Sequence, residues 1–416
     1  MQLLNLKISK NSLFNSFFFI FLVVQGTNLK LNLSLGLIST FLTLILVLIP
    51  LVIIILRLNK ALLSPKNSLV FISASLIICS CFLNLLLQVP NYIGIVQTLS
   101  FTLPWLLLVA AIMSREYIEE NSYKFLDWFN NFIVILIFFG IIEYIACFAF
   151  GKIPPLVETA NGDFFVGYTT VFHVIGDSDL PHFRFYGPFG EPGELAMWGS
   201  ILLIYNIIRK NYLYVLILLI ALFGAFSPSV FLALSIPYIV FSIKRKSILS
   251  FFLFFSTLLL AFIFRNEIFI FYDEVIVNKA RSLAARSDNF FGFFNDFKYL
   301  FLNHPMGIPF FETTAEKFES GIGYITNFTP TYAFESGGFI AFIFYMYMLI
   351  FGLYISLKGI LFSRNNFLDY EIYIYFLMLA TYVVQRHTVF EFAIFPLLFG
   401  AIFVSNSKSF NRKINA

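Results

Sequence analysis

Long runs of apolar residues, separated by short polar turns, extend over most of this 416-residue chain. A straight helix needs about 20 predominantly apolar residues to cross a bilayer. The pattern predicts twelve membrane-spanning helices, several of them shorter than that length. The predicted spans are Leu13–Val24, Leu35–Leu56, Ser68–Leu87, Ile93–Met113, Phe132–Phe150, Glu194–Ile208, Tyr212–Phe226, Val230–Ile243, Ser247–Phe264, Gly338–Leu357, Tyr370–Val384 and Val389–Val404.

Lysine and arginine give these spans an orientation. With the N-terminus inside, every inside segment carries at least two positive charges, whereas the short outside loops carry only Lys30 and Arg386. Short cytoplasmic loops are enriched in Lys and Arg, and long loops are exempt from the rule. We therefore expect residues 1–416 to form one all-α integral membrane domain with both termini in the cytoplasm.

Composition supports this class and excludes a soluble protein. Hydrophobic residues make up 59% of the chain and charged residues 12%, and the mean hydropathy is +0.86. A soluble domain averages about 25% charged residues. The three cysteines lie in apolar segments and the four histidines are scattered, so we predict neither a metal site nor a cofactor.

Two long loops, residues 151–193 and 265–337, fall on the outside in this arrangement. Both contain aromatic residues and turn signals, and neither has the Ser/Gly-rich composition of a linker. The second loop has apolar residues at helical spacing over Glu267–Lys279 and Asp288–Leu302, which predicts two helices along the membrane surface. Long loops of this kind are usually functional or disordered.

The densest group of charged and turn residues is His182–Gly199, where the first loop returns to the membrane. It contains Arg184, two glutamates at Glu191 and Glu194, three glycines and two prolines. Charged groups beside hydrocarbon are costly and tend to be functional. An arginine next to flexible backbone at a membrane surface is a plausible phosphate site.

Further arginines reach the same face from the second loop, at Arg281 and Arg286. A guanidinium binds phosphate oxygens as a bidentate fork and does not deprotonate. A single loop arginine more often contacts lipid headgroups or pairs with a loop carboxylate, but the neighbours of Arg184 and Arg286 favour the phosphate role for these two. Arg386 and His387 lie in a charged turn between the last two spans, which makes them second candidates for lining a site. Glu143 within a span is functional, paired with a neighbouring helix, or placed near the outer interface.

At three places the chain resembles the O-antigen polymerase (Wzy) family of the O-antigen ligase and polymerase superfamily. The first is RFYGPFGEPGELA at Arg184–Ala196, which is similar to the family's Arg and Gly-x-Phe before re-entry into a span. The second is Arg286 followed by NHPMGIPF at Asn303–Phe310, which resembles His-Pro-x-x-Gly-x-Gly-Phe. The third is NFTPTYAFESGGF at Asn327–Phe339, which resembles Asn…Glu-x-Gly-x-x-Gly before a span. The number of spans and the two long outside loops also agree.

The resemblance implies polymerisation of oligosaccharide repeat units linked to undecaprenyl pyrophosphate, as O-antigen or capsule, at the periplasmic face of the bacterial inner membrane. It assigns the pyrophosphate to Arg184 and Arg286, with Arg281 as a further ligand. Glu191 is the first candidate for the base, before Glu194 or Glu335. The substrates are lipid-linked oligosaccharides, a chain-length-regulating co-polymerase is a possible partner, and no nucleic acid is expected.

Other residues of the motifs leave alternatives open. His304 is a candidate substrate-binding or catalytic residue, although a His-Pro turn more often serves packing, and Glu335 is a candidate for substrate binding. Pro309 replaces the second glycine of the family's Gly-x-Gly. Thr326 stands where ligases of the superfamily have a histidine, which favours a polymerase over a ligase that transfers polymer to lipid A-core. A flippase for the same lipid-linked oligosaccharide is a third alternative, but it predicts symmetric halves and short loops.

Overall fold

The computed structural model describes the chain as a bundle of helices with one small sheet. It covers residues 65–88, 92–113, 115–150, 157–158, 165–166, 173–175, 184–189, 192–225, 227, 229–245, 294, 297–308, 329–362 and 371–383. The helices are α1 Pro65–Leu87, α2 Tyr92–Met113, α3 Arg115–Phe150, α4 Pro192–Arg209, α5 Tyr212–Gly224, α6 Ser229–Arg245, α7 Phe297–Asn303, α8 Thr329–Phe362 and α9 Glu371–Val383. The strands are β1 Val157–Glu158, β2 Phe165–Val166, β3 His173–Ile175 and β4 Arg184–Gly187.

Three helices in the described part are long and apolar enough to cross a membrane, through their segments Leu69–Leu87, Leu126–Ala146 and Thr331–Phe362. All eight predicted spans that fall on described residues are helical. The predicted spans Leu13–Val24, Leu35–Leu56, Ser247–Phe264 and Val389–Val404 lie outside the described residues, as does the predicted helix Glu267–Lys279. Of the predicted helix Asp288–Leu302, the described portion is helical at residue 294 and over α7.

Two helices begin well before the predicted spans. α3 begins at Arg115 rather than near Phe132, because the polar stretch between them is rich in Glu and other good helix formers. α8 begins at Thr329, before the predicted span, and it is interrupted at Gly337 and Gly338, where that span was predicted to begin. In both cases the helix extends beyond the apolar run.

A four-stranded antiparallel sheet occupies the first long loop, with the strand order β1-β2-β3-β4. Val157 pairs with Val166, and Ile175 pairs with Arg184. The sequence analysis predicted no strands here, since elements of two to four residues are too short to show an alternating pattern. The described structure is therefore helical apart from this sheet.

Helix α8 runs between two ends of the bundle, which we name after single residues. At the Gly338 end, this glycine lies against the Pro305–Met306 turn. At the Glu371 end, Gly359 of α8 lies against the ring of Tyr373 on α9. The rise of 1.5 Å per residue separates Gly338 from Gly359 by about 30 Å.

Contacts along helices α3 and α4 show where the sheet lies with respect to these two ends. α4 finishes at Arg209, which binds Glu371, whereas its first turn follows β4 in the chain. On α3, Asp127 lies near Arg209, and Tyr144 contacts Phe185 of β4. Since Asp127 and Tyr144 are separated by about 25 Å along the helix, β4 lies away from the Glu371 end, as the Gly338 turn does.

Large aromatic side chains fill the space between the helices. Trp105 of α2 meets Tyr345 of α8 edge to face, with ring centroids 6.0 Å apart. Phe129 of α3 meets Trp198 of α4 at 5.6 Å. Outward-facing apolar residues such as Phe223 remain 76% exposed, and such surfaces mark contact with a membrane or a partner.

A buried ion pair joins the helices at the Glu371 end. The two terminal guanidinium nitrogens of Arg209 donate to the Glu371 carboxylate, at 3.2 and 3.3 Å, and the Tyr375 hydroxyl donates to the same carboxylate at 3.4 Å. The Arg209 guanidinium also lies 3.5 Å from the centre of the Tyr205 ring, and the Tyr205 hydroxyl donates to Asp127. The pair therefore connects α3, α4 and α9.

Neutralising Glu371 alone should destabilise the protein, because the partly buried Arg209 would lose its nearer carboxylate and keep only Asp127, at 4.0 Å. Glu371 is fully buried and the Arg209 side chain is 24% exposed. We expect Glu371→Leu to lower the free energy of unfolding by about 3 kcal/mol. The double variant Arg209→Met with Glu371→Leu should recover much of this loss. Unfolding of the detergent-solubilised protein measures both, and an unchanged midpoint for Glu371→Leu would show that the pair does not stabilise the fold.

Candidate functional site

The turn after α7 has a conformation that requires glycine. The backbone N–H of His304 donates to the carbonyl of Leu300 at 2.8 Å, and the N–H of Gly307 donates to the carbonyl of His304 at 3.1 Å. Gly307 has φ +116°, where a residue with a Cβ is strained. A Cβ at this position would also lie 2.7 Å from the side-chain nitrogen of Asn84. The turn is thus folded tightly against helix α1.

Helix α8 is interrupted opposite this turn, at Gly337 and Gly338. Gly337 has φ −145° and ψ 18°, and Gly338 has φ 66° and ψ −157°. A break of this kind releases backbone groups from the helical hydrogen-bond pattern. The N–H of Ile308 donates to the carbonyl of Glu335 at 3.0 Å, and the N–H of Phe339 donates to the carbonyl of Pro305 at 2.9 Å. The turn and the helix break therefore satisfy each other's backbone groups.

Two amide side chains at the end of α1 complete this arrangement. The side-chain nitrogen of Asn84 donates to the carbonyls of Ser336 at 3.1 Å and of Glu335 at 3.4 Å. The side-chain nitrogen of Gln88 donates to the carbonyl of Ile308 at 3.0 Å and to the side-chain oxygen of Asn84. Neither residue was predicted from the sequence. The feature that could have indicated them is a pair of amide side chains, four residues apart, at the end of an apolar helix.

Small residues and aromatic rings allow the three segments to approach closely. A Cβ at Gly337 would lie 2.7 Å from the sulfur of Cys81 on α1. Phe339 places its ring against Phe301 of α7, with centroids 4.8 Å apart. Beneath the turn, Leu300, Ile308 and Phe334 are fully buried together. We call the assembly of the His304–Ile308 turn, the Glu335–Phe339 break, Asn84 and Gln88 the turn–break site.

The turn–break site unites two of the sequence motifs. His304 and Glu335 lie in segments joined by backbone hydrogen bonds, although they come from separate motifs. The half-buried His304 ring packs edge to face on Tyr299 at 6.1 Å, as a packing residue does. Glu335 is half-buried in the last turn before the helix break.

The motif that contains Arg184 is fixed to the bundle by its neighbour. Arg184 is the first residue of β4, and its backbone pairs with Ile175. Phe185 is 1% exposed and packs on the Tyr144 ring with centroids 5.4 Å apart. Glu194, in the first turn of α4, is buried. The backbone of this motif is therefore anchored between α3 and α4, away from the Glu371 end.

The other predicted site residues, Glu191, Arg281, Arg286, Arg386 and His387, lie outside the described residues. Glu143 is half-buried on α3. Within the described ranges, no group of three or more His, Cys, Asp or Glu side chains could hold a metal ion.

Comparison with known proteins gives no relative: no protein-family model matches the chain, and no curated protein or solved structure is significantly similar to it.

Adding a single methyl group at Gly338 should disrupt the turn–break site. The residue has positive φ, and its Cβ would collide with the carbonyl of Pro305. We expect Gly338→Ala to lower the free energy of unfolding by about 2 kcal/mol or more, measured by thermal unfolding in detergent. Ile340→Ala, an exposed position on the same helix, is the matched control and should have a smaller effect. Equal stability of Gly338→Ala and the wild type would contradict the described backbone.

Proposed function

We propose that the protein polymerises undecaprenyl-pyrophosphate-linked oligosaccharide repeat units of O-antigen or capsule, by glycosyl transfer at the periplasmic face of the bacterial inner membrane. The observation that carries the proposal is the turn–break site. Two segments that resemble separate motifs of the polymerase family, around His304 and around Glu335, are joined there by reciprocal backbone hydrogen bonds. A chance resemblance of two unrelated loops gives no reason for them to meet.

The proposed topology has twelve spans, with both termini in the cytoplasm and two large periplasmic loops at 151–193 and 265–337. The grouping of the helix ends supports it. Asp127, Arg209 and Glu371 meet at one end, and each lies beside a segment that the positive charges assign to the cytoplasm. Gln88 and His304, at the other end, belong to segments assigned to the outside.

In the proposed reaction, a sugar hydroxyl of the next lipid-linked repeat unit attacks the anomeric carbon of the growing chain. The new glycosidic bond forms as the bond to the pyrophosphate oxygen breaks, and undecaprenyl pyrophosphate leaves with the electron pair. Arg184 and Arg286, with Arg281, neutralise the leaving group, which arginine can do without a metal. The Glu191 carboxylate accepts the hydroxyl proton.

The remaining candidates bind the oligosaccharide. His304 and Glu335 do so at the turn–break site, and Arg386 with His387 line the same face from the last periplasmic turn. A chain-length-regulating co-polymerase is a possible partner, and the reaction requires no cofactor.

Loss of the gene tests the function directly. A polymerase mutant should carry surface polysaccharide that is reduced from a ladder to core plus one repeat unit on a gel. A flippase mutant would lack even the single repeat unit. A ligase mutant would carry neither the ladder nor the single repeat unit on lipid A-core. A ladder that persists unchanged would remove the hypothesis.

Complementation with Arg184 variants tests the arginine. Arg184→Ala should leave only the single repeat at normal protein levels, and Arg184→Lys should restore the ladder in part, because lysine lacks the bidentate fork. Lys298→Ala, an exposed cation on α7, is the control and should restore the full ladder. A wild-type ladder from Arg184→Ala would indicate a lipid headgroup contact in place of a catalytic one.

Thiol labelling of intact cells tests the topology. In a chain without its native cysteines, Ala160→Cys and Ser320→Cys should react with an impermeant reagent from outside. Tyr212→Cys, at an exposed position beside Arg209, should react only after the cells are permeabilised. Protection of both loop cysteines in intact cells would reverse the orientation.

A further inference from the structure

We propose that Asn84 is a positioning residue of the polymerase site, and that it acts through the backbone of the turn–break site. This inference rests on the proposed function. Asn84 is 1% exposed and lies in the last turn of α1, on a segment to which the sequence motifs assign no role. Its side chain connects α1 directly to the helix break. Through Gln88, it also connects α1 to the turn.

Asn84 holds the helix break through hydrogen bonds to two backbone carbonyl groups. Its side-chain nitrogen donates to Glu335 at 3.4 Å and to Ser336 at 3.1 Å, the last two residues before Gly337. In a regular helix the carbonyl of Glu335 would accept from the N–H of Phe339, but the break at Gly337 and Gly338 turns this N–H toward the carbonyl of Pro305 instead. The Asn84 side chain therefore substitutes for helical backbone donors next to Glu335.

Gln88 extends the same connection to the turn. Its side-chain nitrogen donates both to the oxygen of Asn84 and to the carbonyl of Ile308, while the N–H of Ile308 donates to the carbonyl of Glu335. The Asn84–Gln88 pair thus contacts both segments that carry candidate substrate-binding residues. A shift of either amide would change the separation of His304 from Glu335, and misplacement by about 1 Å is enough to lower turnover strongly.

A positioning residue differs from a purely structural one in how its loss changes the kinetic constants. The pyrophosphate ligands are arginines on other segments, so loss of Asn84 should leave donor binding intact while it disturbs the alignment of the acceptor. We therefore expect an effect on kcat rather than on the KM for the lipid-linked donor.

The experiment uses the full-length protein in detergent or liposomes, with Asn84→Asp as the test variant. Aspartate keeps the shape and the acceptor for Gln88, and it replaces the donor with an oxygen facing two carbonyls. We expect about a tenfold lower kcat with KM changed less than about twofold, which corresponds to loss of roughly one hydrogen bond. Hydrogen exchange should become about tenfold faster at the amides of Ile308 and Phe339, which the turn and the break protect.

Ser73→Ala is the matched control, because Ser73 is equally buried on α1 but donates only to its own helix, at the carbonyl of Leu69. It should change neither kcat nor these exchange rates. If Asn84→Asp does not fold, Gln88→Met removes the donor to Ile308 from a half-buried position and should give a smaller change in the same direction.

The results of these experiments distinguish failure of the positioning role from failure of the proposed function. An active wild type with an equally active Asn84→Asp variant overturns the positioning role, as does a variant in which exchange at Ile308 and Phe339 is unchanged. A folded wild type that forms no polymer from lipid-linked repeat units contradicts the proposed function instead.

Discussion

Every backbone polar group that leaves a helix in an apolar bundle needs a new partner, and the turn–break site is built around this requirement. At Gly337 and Gly338 the helix α8 gives up its regular hydrogen bonds. The turn at Pro305–Ile308 supplies one donor and one acceptor, and Asn84 supplies further donors. A buried backbone group left without a partner would cost about 1–3 kcal/mol, so the break and the turn stabilise each other. The two segments are held together although the chain between them is long.

An ion pair holds the helices together at the opposite end of the bundle. The Arg209 guanidinium binds the fully buried Glu371 carboxylate through two nitrogens, and α3 joins through Asp127. Between the two ends, large aromatic side chains pack against one another, as at Trp105 and Tyr345. A bundle fixed at both ends by specific polar contacts presents a defined outer surface, as the proposed transfer between two lipid-linked substrates would require.

Over the described residues, the sequence was sufficient to predict where the helices lie but not their polar connections. Apolar runs such as Ser68–Leu87 are long enough that a helix is the only reasonable structure, and α1 has nearly those bounds. By contrast, the bond from Asn84 to Ser336 joins positions 252 residues apart, and neither residue belongs to a periodic pattern. The pairing of Arg209 with Glu371 was equally hidden, because positive charge near a span end has a sufficient explanation in topology.

His304 and Glu335 were predicted as separate candidates, in two different motifs. The backbone hydrogen bonds between their segments bring these two motifs together. The roles of the two side chains remain part of the proposal, because backbone proximity fixes where a group lies and not which proton it moves.

The most direct test is polymer synthesis by the purified protein in liposomes that contain undecaprenyl-pyrophosphate-linked repeat units and no other enzyme. The account predicts a ladder of products that differ by one repeat unit, together with release of undecaprenyl pyrophosphate in proportion to the bonds formed. Substrate that stays as single repeat units, with a folded protein and no released undecaprenyl pyrophosphate, would contradict it.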